Sequence, residues 1–412
     1  MRASIKVRAL ALYQAVWEKV GRTYVDPTRL GDWGRWQHRF DAEIATMGDA
    51  ERCIGLMLDS IGDDYTFLQT PDQVRQDKEA GGRRAFGIGV DLSTCETGDY
   101  PQVTAVTNGE PAYQKGLRVN DRIVSADGAS CADMTLDEIT ARLRGAYGTA
   151  VSLVVQRGKR RLRPKLMRRS TCVDGSVEAT LLPGGRIGII KVQHFHHADL
   201  MLQLRTALNK LRGAQAFVLN LIDNGGGTID LGLDLITFFL RSGQVATFET
   251  RNRKGAKEMQ AVKVNAGRIR TRTKCGTKVS YRWRRRQRYF LNGRPLVICL
   301  NRATASTGEL VSGCFKDNGF AVFGRTASWG KAIGQDYLGL PGGYGLVVTS
   351  LRWFTPAGVW GGDIGQTMRI GVIPTHAVEC DEHEEHQAVV AAAVAHLKRA
   401  LRRRARTAAR SL

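Results

Sequence analysis

The chain has 412 residues, of which 43% are hydrophobic, and it carries a formal net charge of +22. Its length allows two or three domains with a full-sized buried core, and its ordinary apolar fraction argues against global disorder. No apolar run reaches the roughly 18 residues that a membrane-spanning helix needs. The eight cysteines are scattered and none forms a C-x-x-C pair. We interpret them as free thiols, which favours a reducing compartment.

Residues 1–80 are predicted to form a helical N-terminal region. An apolar stripe at helical spacing begins near the N-terminus and comprises Leu10, Tyr13, Val16, Trp17 and Val20. A second helix is predicted over residues 49–61. The basic N-terminus precedes only a short apolar stretch, which indicates an amphipathic helix rather than a signal peptide. A misplaced start codon would also remove a true signal, so the sequence leaves that alternative open.

Residues 81–170 are predicted to form a separate small domain. A glycine-flanked strand over 87–92, a strand over 103–106, a helix over Leu136–Leu143 and a strand over 151–156 follow one another. This order resembles a PDZ domain, which binds peptides. The resemblance implies a groove between that helix and the segment Gly87-Ile88-Gly89-Val90, where backbone N–H groups hold a C-terminal carboxylate. An unrelated small β-rich domain is the alternative.

Residues 171–380 have the pattern of an α/β domain. Apolar strands alternate with amphipathic helices, the strands over 187–192, 216–221 and 295–301, and the helices over 200–211, 231–240 and 308–317. Such alternation predicts a mostly parallel sheet. Residues 251–290 interrupt the pattern as a basic insertion, and residues 381–412 are predicted to be a basic C-terminal helix or tail.

Two basic stretches, 251–288 and 398–410, account for much of the net charge. Such stretches can bind nucleic acid or anionic lipid. No recognised nucleic-acid module accompanies them, so we expect a solvated loop and a solvated helix with weak contact to anionic surfaces. We expect no specific nucleic-acid partner. The rival interpretation, a nucleic-acid binder acting through 251–288, predicts binding that falls steeply with salt.

Two strand ends carry residues suited to catalysis, because parallel α/β sheets place their sites at the carboxyl ends of strands. Ser306 lies at one strand-to-helix turn, where the N–H of Thr307 is free to contribute to an oxyanion hole. The run Gly225-Gly226-Gly227 follows another strand and permits close backbone approach. We expect the N–H of Gly226 to be the second oxyanion donor.

A serine nucleophile needs a base, and the histidines offer no persuasive partner. Neither the cluster His194, His196 and His197 nor the pair His383 and His386 has the spacing of a metal site, so no metal is expected. A lysine can act as the base if burial lowers its pKa by roughly 2–3 units. Lys331 has an apolar, glycine-rich setting, but on these grounds alone a surface charge is the simpler interpretation.

Ser306 lies in the motif Thr304-Ala305-Ser306-Thr307-Gly308-Glu309. Asp317 follows eleven residues past the serine, and Lys331 follows 25 residues past it. This arrangement resembles the carboxyl-terminal processing peptidases, the tail-specific protease family, whose pattern is T/S-A-S-A-S-E followed by G-K-G-x-x-Q. The resemblance implies that Ser306 is the nucleophile, that Lys331 is the base and that Gln335 orients the lysine amine. Asp317 is expected to support this site.

The resemblance covers nearly the whole chain and implies a serine endopeptidase that needs no cofactor. It implies a crotonase/ClpP-like α/β protease core with an inserted PDZ domain and a helical N-terminal region. The substrates are expected to be proteins or peptides recognised through their C-termini. Asn220 and Ile222 stand where the family has Asp and Arg, so an ion pair of the family is lost. The family works mostly in exported compartments, whereas this chain, as written, indicates a cytoplasmic location.

Two rivals concern the chemistry itself. The chain could be an inactive relative that only binds peptides through its PDZ domain, although the retained Ser306, Lys331 and Gln335 argue against this. The run from Ser328 to Lys331 also spells S-x-x-K, the signature of penicillin-binding enzymes. That motif must begin a helix, which Gly330 disfavours, and its companion motifs S-D-N and K-T-G are missing. The sequence identifies neither the substrate nor the oligomeric state.

Overall fold

The structure is a computed structural model that describes residues 2–79, 87–93, 100–106, 111–132, 134–143, 149–168, 176–196, 200–265, 267–362 and 369–410. It divides into two units, Met1–Pro71 with Ser176–Leu412, and Asp72–Gly175. The predicted small domain, 81–170, lies inside the second unit. Most of the predicted N-terminal region instead belongs to the same unit as the α/β core. Among the described residues, every helix is too short or too polar to span a bilayer.

The N-terminal helices bury the apolar stripe that their spacing predicted. The elements are α1 (Arg2–Thr23), α2 (Pro27–Leu30), a 3₁₀ turn (Trp33–Trp36), α3 (Met47–Asp59), β1 (Phe67–Gln69) and α4 (Pro71–Glu79). Tyr13, Val16 and Val20 of α1 are fully buried. A capping box starts α3, since Thr46 Oγ1 accepts from Asp49 N while the Asp49 carboxylate accepts from Thr46 N.

The second unit is an antiparallel sheet with two short helices. Its elements are β2 (Val90–Ser93), β3 (Gln102–Val106), α5 (Pro111–Gln114), β4 (Arg122–Ala126), β5 (Ala129–Ser130), α6 (Leu136–Leu143), β6 (Ala150–Arg157), β7 (Arg160–Leu162) and β8 (Lys165–Met167). The strand order is β2-β3-β4-β6-β7, with β5 beside β4 and β8 beside β6. Helix α6 has the predicted bounds. The strand predicted from Gly87 starts only at Val90, because Gly89 adopts a positive φ of 79° that extended pairing does not allow.

The remaining elements form two sheets and the helices that cover them. In chain order they are β9 (Val177–Leu181), β10 (Ile187–Val192), α7 (Leu200–Lys210), β11 (Ala216–Asn220), α8 (Ile229–Phe239), β12 (Gly243–Arg251), β13 (Lys257–Val264), β14 (Arg268–Cys275), β15 (Lys278–Arg285), β16 (Leu296–Cys299), α9 (Thr307–Asp317), β17 (Ala321–Gly324), β18 (Ile333–Gly339), β19 (Gly345–Phe354), β20 (His376–Ala377) and α10 (Glu385–Arg410). Two further 3₁₀ turns are Pro341–Gly343 and Glu382–Glu384.

The first sheet is the mostly parallel one that the alternation predicted. Its order is β20-β17-β16-β11-β10-β9, and every neighbouring pair except β9 with β10 is parallel. Successive residues of β11 face opposite sides. Phe217 and Leu219 share a buried cluster with α8 and α9, whereas Ala216 and Val218 share one with α10. Both faces are therefore covered, as is usual for parallel sheets.

The second sheet is antiparallel, in the order β1-β19-β12-β13-β14-β15, with β18 also paired to β19. The expectation of a solvated loop over 251–288 was wrong, because most of that stretch forms β13, β14 and β15. Along β14, Ile269, Thr271 and Thr273 alternate with Arg and Lys residues, a pattern that suits a pleated, half-buried strand. Two residues of β19, Leu346 and Val348, pack into one cluster with the N-terminal helices, so these helices and the antiparallel sheet share a core.

Candidate active site

Ser306 occupies the turn between β16 and α9, at the carboxyl end of a strand in the parallel sheet. Its backbone has φ 53° and ψ −119°, a conformation that L-residues other than glycine rarely adopt. Such strained backbone persists only where surrounding contacts hold it in place. The serine N–H donates to the Glu309 carboxylate at 2.8 Å, which supplies one such contact.

The glycine run packs directly against this turn. A Cβ on Gly226 would lie 2.7 Å from the Cβ of Ser306 and 2.9 Å from the backbone nitrogen of Thr307, so only glycine fits. Two hydrogen bonds hold the segments together: Ala305 N donates to Asn224 O at 2.8 Å, and Thr307 Oγ1 donates to Gly227 O at 2.7 Å. The sequence prediction that this loop approaches Ser306 is therefore met in the structure.

The two predicted oxyanion donors differ in their surroundings. Thr307 is the first residue of α9, where backbone N–H groups have no partner within the helix. Its N–H has no acceptor among the hydrogen bonds of the described residues, and it lies at the positive end of the helix dipole. The N–H of Gly226, in contrast, donates to Asn224 Oδ1 at 2.9 Å and is engaged within its own loop.

Lys331 lies just before β18, in the antiparallel sheet. Its Nζ is 4.2 Å from the centroid of the Tyr65 ring and donates to Gln335 Oε1 at 3.4 Å, a long hydrogen bond. A register shift between Gly334 and Gln335 interrupts the pairing of β18 with β19, and bulges of this kind redirect side chains. Gln335 Nε2 is buried and has no partner among the described residues.

Glu309 joins the two segments, and this role was not foreseen from the sequence, although the residue belongs to the motif. Its Oε2 accepts from the backbone N–H of Ser306 at 2.8 Å and from that of Lys331 at 2.7 Å. Its Oε1 accepts from Gly330 N and from Ser328 Oγ, both at 2.6 Å. The side chain is only 1% exposed. Burial raises the pKa of its carboxyl, while the four donors oppose that effect.

Other residues singled out in the sequence lie outside this cluster. Asp317 ends α9, about 16 Å along the axis from Ser306 at about 1.5 Å per residue, and its Oδ2 accepts from Ala357 N at 2.9 Å. It therefore fastens a loop to the far end of the helix. The Ser328 hydroxyl is fully buried, donates to Glu309 and accepts from Val372 N, in a loop and not a helix. It cannot serve as an S-x-x-K nucleophile.

The first histidine cluster is described only in part. His194 is buried and its ring stacks on that of His196, while His197 lies outside the described residues. Within the part of the chain that the structure describes, no group of three or more His, Cys, Asp or Glu side chains could hold a metal ion.

In the second unit, the predicted peptide-binding segment adjoins α6. Ile88 is buried in one cluster with Ile139 and Leu143 of that helix, and its carbonyl accepts from Ala112 N at 2.9 Å. Gly89 has the positive φ that favours glycine, and β2 begins at Val90. The segment Gly87-Ile88-Gly89-Val90 is thus a loop that leads into a strand beside a helix.

Comparison with known proteins agrees with this arrangement. Residues 186–378 match peptidase family S41, and residues 102–157 match the PDZ domain. A carboxyl-terminal-processing protease of Picosynechococcus is 29% identical over 347 residues, which cover 82% of this chain and 77% of the relative. The protease of the same name from Synechocystis is 25% identical over 371 residues, covering 88% and 79%.

A solved structure shares the fold. The photosystem II D1 C-terminal processing protease superimposes with a TM-score of 0.65 at 23% sequence identity, covering 90% of this chain and 93% of the other. One family match falls in each unit, and the sequence resemblance to carboxyl-terminal processing peptidases is confirmed. The chain is thus a serine protease in which residues 186–378 match peptidase family S41 and residues 102–157 match the PDZ domain, and over 82% of its length it is similar to a carboxyl-terminal-processing protease.

Proposed function

We propose that this protein is an endopeptidase whose nucleophile is Ser306 and whose general base is Lys331. The observation that carries the proposal is the Glu309 carboxylate. One of its oxygens accepts from the backbone N–H of both residues, so the two segments meet within two hydrogen-bond lengths. The nucleophile and its base come from different sheets, and this single buried side chain holds them in register.

In the proposed reaction, the neutral amine of Lys331 removes the proton from Ser306 Oγ as that oxygen attacks a peptide carbonyl carbon. The resulting ammonium then protonates the leaving amine, which breaks the peptide bond and leaves an acyl-enzyme. Water, activated by the same amine, resolves the ester. The contact between Lys331 Nζ and Gln335 Oε1 supports a role for Gln335 in directing the amine.

The oxyanion that forms during attack needs preorganised donors. The Thr307 N–H suits this role, because it adjoins the nucleophile at the start of α9 and has no acceptor among the described residues. We retain Gly226 as the second donor, with its N–H shared with Asn224 Oδ1 or released from it when substrate binds. The close packing of Gly226 on Ser306 supports this assignment.

We further propose that the PDZ domain recognises the C-terminal region of protein or peptide substrates. The loop over Gly87-Ile88-Gly89 and the strand that follows it offer the backbone groups that a carboxylate and an extended peptide require. The crotonase/ClpP-like description of the core also remains a proposal, supported by the parallel sheet covered on both faces.

Casein hydrolysis tests the dyad. Ser306→Ala and Lys331→Ala should each lower kcat/KM by roughly 10⁴-fold or more, as loss of a nucleophile or base does in serine proteases. Ser312→Ala and Lys316→Ala on the same helix should retain activity, because Ser312 Oγ contacts only helix carbonyls. Equal activity of wild type and Ser306→Ala would refute the assignment.

A peptide with an amidated C-terminus tests the PDZ role, and it should be cleaved with a higher KM than the free acid.

A further inference from the structure

The three strands β13, β14 and β15 have two different faces. On one face Val262, Val264 and Ile269 enter the buried core, and Arg284 forms an ion pair with Asp234 at 2.6 Å. Since side chains alternate along a strand, the intervening residues point the other way. We call this side the outer face. Its members from Lys263 onward, all exposed or half-buried, are Lys263, Arg268, Arg270, Arg272, Lys274, Val279, Tyr281, Trp283 and Arg285. Met259, Ala261 and Lys257 precede them on the same side of β13, and Lys257 is ion-paired with Glu249 at 2.9 Å.

All the charged side chains on the outer face are positive. Six of these nine residues are Lys or Arg, and the outward positions of the three strands hold no acidic residue. None of the six takes part in an ion pair between described residues. The inward Arg284 shows the contrast, because Asp234 and Asp230 of α8 both lie within ion-pair distance of it. The outer cations are therefore available to an anionic partner.

The same face exposes large apolar side chains along the edge strand β15. Val279, Tyr281 and Trp283 are 42%, 56% and 48% exposed, at successive outward positions. Arg272 lies opposite Tyr281 and Arg270 opposite Trp283 in the strand pairing. The Arg270 guanidinium stands 5.8 Å from the centroid of each ring. Aromatic and cationic side chains therefore interleave across one continuous surface.

We propose that the outer face docks on an anionic lipid bilayer surface. Trp and Tyr prefer the headgroup level of a membrane, where their rings are apolar and their polar ends remain wet. Lys and Arg beside them gain about 1 kcal/mol each near anionic lipid. The outer face carries both the aromatic and the cationic side chains on one side of the sheet, together with the exposed Val279. This proposal does not depend on the dyad assignment.

Other occupants fit less well. Pairing of β15 with a second copy would bring two cationic edges together, a repulsion that proteins use to prevent such pairing. Single-stranded nucleic acid would need the ring faces of Tyr281 and Trp283 for base stacking. Arg270 already lies near both rings. A membrane interface needs only that the ring edges enter the headgroup layer, which this arrangement permits.

Vesicle sedimentation of the full chain tests the proposal, with vesicles of phosphatidylcholine alone or with about one-third phosphatidylglycerol. We expect binding only to the anionic vesicles. The variant Arg268→Gln/Arg272→Gln/Lys274→Gln should lower the partition coefficient on the order of 100-fold, from three cations at about 1 kcal/mol each. Tyr281→Thr/Trp283→Thr should also lower it, because the apolar contribution is lost while the charge remains.

The matched control removes three exposed cations elsewhere, Arg402→Gln/Arg403→Gln/Arg406→Gln on α10. It should bind vesicles nearly as wild type does. An equal loss in this control, or no loss in the Tyr281 and Trp283 variant, would mean that net charge alone drives binding and would overturn the proposal. Tighter binding to a single-stranded oligonucleotide than to vesicles at equal phosphate concentration would assign the face to nucleic acid. Unchanged casein hydrolysis and melting temperature show that each variant is folded.

Discussion

The parallel and the antiparallel sheet each supply one half of the proposed dyad, and they position it by different means. Ser306 follows β16 and begins α9, so local chain geometry places it at a strand end. Lys331 precedes β18, and its backbone is held by Glu309 of α9 and its amine by Tyr65 and Gln335. The position of the nucleophile thus depends on a local turn, and the position of the base depends on contacts between the two sheets.

Among the changes that leave Ser306 and Lys331 in place, loss of the Glu309 carboxylate should have the largest effect. Glu309→Gln replaces one carboxylate oxygen by an NH₂ group, so at least one of the buried donors loses its acceptor, at about 1–3 kcal/mol. If the nucleophile and the base are also displaced from each other by about 1 Å, the rate falls by a further factor of about 100. We expect kcat/KM on casein to fall on the order of 1000-fold while most of the protein remains folded.

Glu249→Gln is the matched control, because Glu249 is also buried but binds Arg352 and Lys257 in the antiparallel sheet. It should lower the melting temperature and leave kcat/KM near the wild-type value. If the two variants lose activity in proportion to their loss of stability, Glu309 acts only as a structural residue and the comparison of the sheets fails.

The next effect tests the parallel-sheet half alone. Gly226→Ala would place a methyl group against the Ser306 Cβ and the Ala305 carbonyl at a φ of 93°, where L-residues are strained. Backbone atoms surround the position and cannot easily move. We expect the free energy of unfolding to drop by about 1–3 kcal/mol and kcat/KM to fall on the order of 100-fold.

Gly225→Ala is one residue away and should be close to neutral, because nothing lies within 4 Å of a Cβ there and its φ is not positive. Thermal melting and casein hydrolysis of the two variants give the comparison directly. Similar behaviour of both would show that the loop tolerates side chains and that its approach to Ser306 is not required.

The position of Ser306 could be predicted from the sequence and that of Lys331 could not, because the first depends on a local turn and the second on contacts between distant segments. Strand β10 and helix α6 have the predicted bounds, and the turn at Ser306 was found because strand, turn and helix are local patterns. Lys331 was selected only by resemblance to a known family. The role of Glu309 could not be read from the sequence, since three of its four donors come from residues 19 to 22 positions later.

At two other positions the structure shows contacts that spacing could not predict. Asp317 is eleven residues past Ser306, which is close to three helical turns, so it shares a face of α9 but lies at the opposite end. The N–H of Gly226 was predicted to be an oxyanion donor, and nothing in the sequence indicated that the buried side chain of Asn224 accepts from it. Both contacts were missed because sequence spacing fixes direction along an element but not the contacts between elements.

A smaller effect concerns the base in the antiparallel half. The Tyr65 ring, at 4.2 Å from Lys331 Nζ, favours the ammonium form by about 0.5–2 kcal/mol. Tyr65→Leu should therefore move the acid limb of the kcat/KM profile to lower pH, by roughly 0.4–1.5 units. Tyr65→Phe keeps the ring and should keep the limb in place. A lower rate at every pH with an unmoved limb in Tyr65→Leu would contradict this role.

The smallest expected effect is a difference between the two sheets in how their stability changes at low pH. His386 of α10 lies 3.2 Å from Asn220 Nδ2, at the site where the family carries an ion pair. Burial, followed by the charge of Lys191, lowers the pKa of His386 in the folded state. The unfolded chain therefore binds the proton more readily, and stability falls as pH drops below the ordinary histidine value near 6.5. Protonation would also set two donors against each other, because Asn220 Oδ1 already accepts from Ile222 N.

The antiparallel sheet should resist acid over a lower range. Burial raises the pKa of Glu249, but hydrogen bonds from Arg352 and Lys257 outweigh it and hold that pKa below its usual value. This contribution to stability persists above about pH 4 and is lost below it. Melting temperatures between pH 7 and 5 should thus fall less in His386→Gln than in wild type. The exposed His383→Gln should follow wild type, and an equal fall in all three proteins would place the acid-sensitive group elsewhere.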